Sequence, residues 1–275
     1  MILKLEEKLP VILRSFVSFF SVFLCFSFYR KKNSESEQSC YVFGDGPSIK
    51  YMNLKLFANL PSIATNEIIN HVDFENLDCK YWIMPEPLFF WLGNASGMSD
   101  KLSLVRRYKR GLHPRALKDK SIKPILNVLS FPFTFQSRAH YFYYGRRHFK
   151  NLPIAQRDDA FAGTINSAIT IAIHLGYKKI FLIGFDYTHN PSTSLHWYEH
   201  GRGIKTNHSG YNAEYFKEAL TYIDIVTVTI DAESEFLPFI TYEALTGTKP
   251  RYKENFEILS QDRYETLRNH KTYLI

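Results

Sequence analysis

From Cys40 onward, short apolar runs alternate with stretches of helical periodicity. CYVF (40–43), SIATN (62–66), KYWIM (80–84), KKIFLIG (178–184) and IVTVTID (225–231) read as strands, and PILNVLS (124–130) is a weaker candidate. The best-defined unit is TINSAITIAIHLGYKKIFLIGFDY, residues 164–187. Its Ile165, Ala168, Ile169, Ala172 and Ile173 recur at spacings of three and four, which places them on one helix face. Thr164 is the expected N-cap and Gly176 the expected left-handed residue after the last turn. KKIFLIG, apolar on both faces, is expected in the sheet centre. A second helix is predicted over Asn212–Ile223, burying Phe216, Ala219, Leu220 and Ile223. Near the carboxyl end, DAESEFLPFITYEAL (231–245) reads as strand end, loop and helix, with Ser234 the candidate cap. This alternation predicts an α/β fold with a mainly parallel sheet flanked by helices.

Three stretches break the pattern. Residues 130–160 are aromatic and basic without a clear period, and 188–211 form a long loop, so both are expected to be lid insertions. Ser15 to Tyr29 is an uncharged, Phe-rich run flanked by Lys4, Lys8 and Arg14 on one side and Arg30, Lys31 and Lys32 on the other. It is shorter than the roughly 20 residues of a spanning helix. The expectation is an N-terminal apolar helix that associates with a membrane surface or forms a short span anchored by its flanking cations. The resulting plan is an apolar leader and polar linker over 1–39, a folded domain over 40–250 beginning near Cys40, and a tail over 251–275.

With 275 residues and 45% hydrophobic side chains, the chain can bury one sizeable core. A formal charge of +7 favours anionic partners. Nine of the basic residues fall between Lys101 and Lys123, either as a solvated face or as a surface for anionic lipid or a lipid-linked acceptor. No aromatic-interleaved recognition motif accompanies them, so nucleic acid is not an expected partner. Cys25, Cys40 and Cys79 have neither metal-ligand spacing nor an even-numbered framework, which favours a reducing compartment.

The chemistry concentrates in two places. After the first strand, GDGPS offers two glycines for close backbone approach (Gly44 and Gly46), Pro47 to stiffen the turn and the Ser48 hydroxyl beside exposed amides. It lacks the third glycine of a dinucleotide fingerprint and the Gly-Lys-Ser/Thr of a P-loop. Asp45 is unexpected in a turn built to receive phosphate; a ribose, a loop amide or a metal would each suit it. In the long loop, SLHWYEHGRG (194–203) places His196 and His200 four residues apart, but without an evident third metal ligand. His196, Trp197 and Tyr198 are expected to close the loop over a ligand, with Tyr198 a candidate phosphate or sugar contact.

The strand followed by GDGPS, the Asn66 that ends the second strand, and a Thr-led helix running into LGYKKIFLIGFD together resemble the bacterial family 42 sialyltransferases. They are equally similar to the 6-hydroxymethylpterin diphosphokinase-like proteins of surface-polysaccharide gene clusters. The resemblance spans most of residues 40–245 and is distinctive in the GDGPS and LGYKKIFLIGFD blocks. It implies a Rossmann-like nucleotide-binding domain. In the sialyltransferase branch it also implies inverting, metal-independent transfer from a CMP-linked sugar, with no cofactor beyond that donor.

By position, the resemblance places Asp45, Ser48 and Asn66 around ribose and phosphate, with Thr164 at a nucleotide contact and Asp186 at the carboxyl end of its strand. It makes His208 the general base, a role suited to an imidazole with an ordinary pKa of about 6.5. Thr188 and Ser194 stand where the family has phosphate-supporting tyrosines, and Pro85 where it has an asparagine. These departures bear on the donor sugar rather than on the scaffold.

The leading expectation is therefore a nucleotide-sugar-dependent glycosyltransferase that acts on a glycan or lipid-linked acceptor. It would serve surface polysaccharide or lipopolysaccharide synthesis at the cytoplasmic face of the bacterial inner membrane. The alternatives are a pyrophosphokinase-like enzyme, in which Asp45 and Asp186 would hold Mg²⁺, and a catalytically silent, membrane-associated nucleotide-binding protein.

Overall fold

A computed structural model of the chain describes residues 25, 27–85, 121–131, 138–142, 161, 163–207, 213–231, 233–234, 236–259 and 264. Each run expected to be a strand is one. They are β1 (Ser39–Phe43), β2 (Pro61–Thr65), β3 (Asp78–Met84), β4 (Lys123–Asn127), β6 (Lys179–Ile183) and β10 (Asp224–Thr229). With β5 (His140–Phe142) and β12 (Phe239–Thr241) they form an eight-stranded sheet in the order β12-β10-β6-β1-β2-β3-β4-β5, and β7 (His189–Asn190) pairs separately with β11 (Glu233–Ser234). Every pairing in the eight-stranded sheet is parallel. This is a Rossmann-like α/β sheet. β5 lies within the stretch expected to be a lid insertion, so part of that stretch is an edge strand of the main sheet.

Alternation along the strands divides the core between the two faces. Cys40, Val42, Ile63, Ile83, Ile180 and Leu182 point to the face covered by helix α1 (Gly163–Leu175) and helix α2 (Ala213–Ala219). α1 contributes Ile165, Ala168, Ile169 and Ala172, the stripe expected from its sequence. Tyr41, Phe43, Ala64, Trp82, Met84 and Ile183 point the other way, against short 3-10 turns at Pro47–Tyr51, Leu54–Phe57 and Asn66–Asn70. Helix α3 (Tyr242–Thr246) and helix α4 (Asn255–Ile258) complete that layer through Tyr242 and Ile258. Burying an aliphatic or aromatic side chain of this kind is worth about 1.5–3 kcal/mol.

Two local expectations are corrected. Thr164 lies inside the first turn of α1, which begins at Gly163. Thr241, not Ser234, caps α3, its side chain accepting from the Ala244 amide. Ser234 instead bridges a turn, donating to the Thr188 carbonyl at 2.9 Å and accepting from the Leu237 amide at 3.2 Å.

Residues before Cys40 also pack into the domain. Phe28 is fully buried, with its ring against Phe142, Phe161 and His174, and its carbonyl lies 3.0 Å from His174 Nε2. Asn33 and Glu35 donate their amides to the carbonyls of His174 and Leu175, and Tyr81 Oη reaches Glu35 at 2.5 Å. The end of the apolar run therefore packs into the domain, and residues 33–35 are docked rather than a free linker. Residues 15–24 and 26 lie outside the described residues, as do 101–120 of the basic stretch. Among the described residues no helix is long and apolar enough to cross a membrane, and of the expected N-terminal apolar helix only residues 25 and 27–29 are described, all of them helical.

Candidate functional site

The strand order reverses at β1, whose neighbours are β6 and β2, and the crevice outside the carboxyl ends of strands at such a point is where open α/β sheets bind ligands. The two distinctive sequence blocks end there. GDGPS leaves β1, and Gly184, Phe185 and Asp186 leave β6. Register carries them side by side, since Phe43 pairs with Ile183.

The two turns are fastened to each other. Gly44 donates its amide to the Ile183 carbonyl and Gly46 its amide to the Gly184 carbonyl, both at 2.7 Å. A Cβ on Gly44 would meet the Gly184 oxygen at 2.6 Å, and one on Gly46 would meet Asp186 Oδ2 at 1.8 Å. The glycines thus admit the neighbouring turn of the protein, a different use from the ligand approach expected of them. Ser48, after the Pro47 that opens the 3-10 turn, donates both its amide (3.2 Å) and its hydroxyl (3.0 Å) to Asp186 Oδ2. The carboxylate of Asp186 occupies the donors that a phosphate was expected to use.

Asp186 is buried, which pushes its carboxyl pKa up, while the neighbouring His189 and the Ser48 donors hold it down. His189 Nδ1 lies 3.5 Å from Asp186 Oδ1, and its Nε2 is 3.3 Å from Thr227 Oγ1. Burial pushes the His189 pKa down, and the Asp186 charge opposes it. The Asp-x-x-His spacing (186 to 189) is the sequence signal for this pair.

Asp45 also faces the protein. Its carboxylate accepts from the Glu67 amide and from the Trp197 indole N–H, each at 3.3 Å, and its carbonyl accepts from the Trp197 amide at 2.9 Å. Of the three partners the sequence suggested for this carboxylate, the structure shows a loop amide.

Asn66 and Thr164 are brought together beside these turns, Glu67 after Asn66 being bonded to Asp45. Asn66 Nδ2 donates to Thr164 Oγ1 at 3.3 Å, joining the carboxyl end of β2 to the first turn of α1. The Asn66 backbone is left-handed, with φ 46°, and is held there by the Trp82 indole, which donates to its carbonyl at 2.8 Å. Asn66 Oδ1 is buried without a hydrogen-bond partner. A left-handed non-glycine residue with an unspent buried acceptor at a strand end is the kind of strained position that clusters at binding sites.

Tyr198 is buried, stacked 5.1 Å from the His196 ring and edge-on to Trp197, and its carbonyl accepts from Asn255 Nδ2 at 2.6 Å. The structure uses it for packing. His208, the expected general base, lies outside the described residues. His196 and His200 join no metal cluster: among the described residues no three His, Cys, Asp or Glu side chains are placed to hold an ion.

The sequence reading missed Lys50. Fully buried, its ammonium donates to the carbonyls of Glu199 and Gly201 (2.8 Å to the latter) and to Asn255 Oδ1 at 2.8 Å. Burial pushes its pKa down to about 8, against the pull of Glu254 and Glu199. The only hint was a lysine directly after the apolar Ile49, within one turn of GDGPS.

No family model matches the chain, and no curated protein matches it by sequence. Among solved structures it is similar to the MAf glycosyltransferase from Magnetospirillum magneticum AMB-1, at 12% identity and a TM-score of 0.46. That likeness covers 90% of this chain and 41% of the other, so this chain spans less than half of that protein. It is also similar to the sialyltransferase CstII from Campylobacter jejuni in complex with CMP-3FNeuAc, at 16% identity and a TM-score of 0.45, over 86% of this chain and 100% of the other. The same enzyme in complex with cytidine-5'-monophosphate gives 15% identity and a TM-score of 0.44, over 87% and 100%.

Proposed function

We propose that the protein is a nucleotide-sugar-dependent glycosyltransferase of the sialyltransferase type. The observation that carries this reading is the meeting of the GDGPS and GFD turns at the reversal of strand order, with the Asn66–Thr164 pair at the carboxyl end of neighbouring β2. In this reading the fastened turns form the rigid floor of the nucleotide site. Asn66 and Thr164 contribute the polar contacts, Asn66 through the acceptor it has left unspent. Gly44, Gly46, Pro47, Ser48 and Asp186 shape the floor, and Asp45 fixes the neighbouring loop.

The sequence resemblance supplies the rest. The donor is CMP-linked, the acceptor is a glycan or lipid-linked glycan, and His208 takes the acceptor hydroxyl's proton as the anomeric carbon is attacked in line. The enzyme needs no cofactor besides that donor. Surface polysaccharide or lipopolysaccharide synthesis at the cytoplasmic face of the inner membrane suits the apolar run at 15–29 and the cations at 101–123.

The Mg²⁺-dependent pyrophosphokinase reading needs carboxylates turned toward a metal. Asp45 and Asp186 instead accept from Glu67, Trp197 and Ser48, with His189 beside Asp186, which favours the glycosyltransferase.

Thermal shift with CMP, CDP, UDP and ATP, each with and without EDTA, tests the reading. CMP at about 100 times its Kd should stabilise the protein by about 2.7 kcal/mol, unchanged by EDTA. A shift with ATP alone that EDTA abolishes would move the assignment to the kinase, and no shift with any nucleotide would make the chain a silent member of the fold. With CMP binding established, His208→Ala should lower kcat with little change in CMP affinity; an unchanged kcat would remove His208 as the base.

A further inference from the structure

Most of the 188–211 loop is an ordered β-hairpin. β8 (Ser192–Ser194) pairs antiparallel with β9 (Ile204–Thr206), and residues 195–203 form its tip. Both ends of the tip have positive φ, 114° at Leu195 and 88° at Gly203. A leucine holds that conformation only where its surroundings over-determine it.

Those surroundings are identifiable. Trp197, fully buried, donates its amide and its indole N–H to Asp45 in the middle of GDGPS, and its ring packs 5.3 Å from that of His71. Gly203 closes onto the same turn, since a Cβ there would meet the Pro47 ring at 3.0 Å. Lys50 binds two tip carbonyls, those of Glu199 and Gly201, and Asn255 binds a third, that of Tyr198. Asn255 also accepts from Lys50, joining the two holds. Arg202 lies over the Tyr252 ring, 4.8 Å from its centroid. The segment carrying Tyr252 and Asn255 is itself strapped to the GDGPS side, because Arg251 and Lys253 donate their amides to the Tyr51 and Lys50 carbonyls.

We propose that the hairpin tip 195–203 is a built-in gate, hinged at Leu195 and Gly203 and latched shut by Lys50 and Asn255, with Trp197 as the plug that occupies Asp45. Resting on the nucleotide reading of this turn, the inference is that a nucleotide ligand displaces Trp197 and that the latch sets how readily it does so. The device regulates access and takes no part in the chemistry.

Hydrogen exchange on the full-length ligand-free protein tests the latch. In Lys50→Met the amides of 195–203 should exchange at least about tenfold faster than in wild type, while those of β1 and β6 keep their rates. Asn255→Ala should give a smaller acceleration confined to the same tip, and it decides the matter if Lys50→Met fails to fold. Unchanged tip exchange in a folded variant, or acceleration spread evenly over the sheet, overturns the latch.

The plug is tested with CMP by acrylamide quenching of tryptophan fluorescence, taking wild type minus Trp197→Phe as the Trp197 signal. Quenching of that signal should rise on CMP binding, and Lys50→Met should bind CMP more tightly than wild type. Bound CMP with Trp197 still protected overturns the plug. Failure of both proteins to bind CMP overturns the nucleotide reading and the plug with it, and leaves the latch to be judged by exchange alone.

Discussion

Gly46→Ala tests whether GDGPS is built to receive the β6 turn. The added Cβ would lie 1.8 Å from Asp186 Oδ2, 2.7 Å from the Gly184 oxygen and 2.8 Å from Asp186 Cγ. The first contact is far inside van der Waals range, so Asp186 has to move. Moving it breaks the bonds from the Ser48 amide and hydroxyl and disturbs the contact with His189. Two buried hydrogen bonds to a carboxyl group are worth about 1–3 kcal/mol each, depending on its charge. The expected loss is therefore about 2–6 kcal/mol, read as a lowered urea midpoint at unchanged slope. The proposed cause predicts non-additivity. In an Asp186→Ala background the main obstacle is gone and only the Gly184 oxygen must give way, so the same change should cost less than half as much. An equal cost in both backgrounds, or a loss below about 1 kcal/mol in wild type, would show that the Gly46–Asp186 contact does not set this turn.

Three further outcomes follow from other parts of the fold. Phe28→Ala should cost about 3–5 kcal/mol in the same urea assay if the chain before Cys40 belongs to the core, whereas a surface leader would give almost nothing. Burial, with Lys253 nearby, pushes the His71 pKa down to about 3, so below its ordinary value of 6.5 the unfolded chain binds a proton that the native one refuses. The stability this contributes is complete above pH 6.5 and is lost as pH falls toward 3; the gap between wild type and His71→Gln should narrow by about 1.4 kcal/mol per pH unit from 6 to 4, and a pH-independent gap would refute it. Asp45→Asn must turn an NH₂ toward one of two N–H donors, from Glu67 or Trp197, and should destabilise by about 1–2 kcal/mol; a neutral result would mean that these two bonds do not hold the loop.

The sheet was legible because each buried strand is marked by its own composition. CYVF and KKIFLIG are apolar on both faces, and the spacing of Ile165, Ala168, Ile169 and Ala172 leaves one helix face to cover them. β5 was not legible, since three residues, HYF, inside an aromatic and basic stretch carry no period. Ser234 was mistaken for a helix cap because Ser234 and Thr241 offer the same kind of oxygen before the same helix, and only the turn geometry chooses between them. The early docking of the chain was hidden for a related reason: a Phe-rich run suits lipid and a protein core equally well, and Phe28 is committed by contacts with Phe142, Phe161 and His174, all more than a hundred residues away.

At the site, position was legible and partnership was not. GDGPS and GFD announce two turns at strand ends, and the register of β1 on β6 makes them neighbours, but nothing local says that a carboxylate from one turn will fill the donors of the other. That is a property of the pair. Once Asp186 is seated on Ser48, a free phosphate at those same two donors would face its charge, so in the proposed nucleotide site the phosphate would be directed toward the start of α1. There the helix presents its positive end to the anion, and the unspent Asn66 acceptor suits a hydroxyl or amino donor on the rest of the ligand. The aspartate in GDGPS serves the same division. While the 195–203 tip is shut, it holds the Trp197 indole and the Glu67 amide and keeps its charge within the protein.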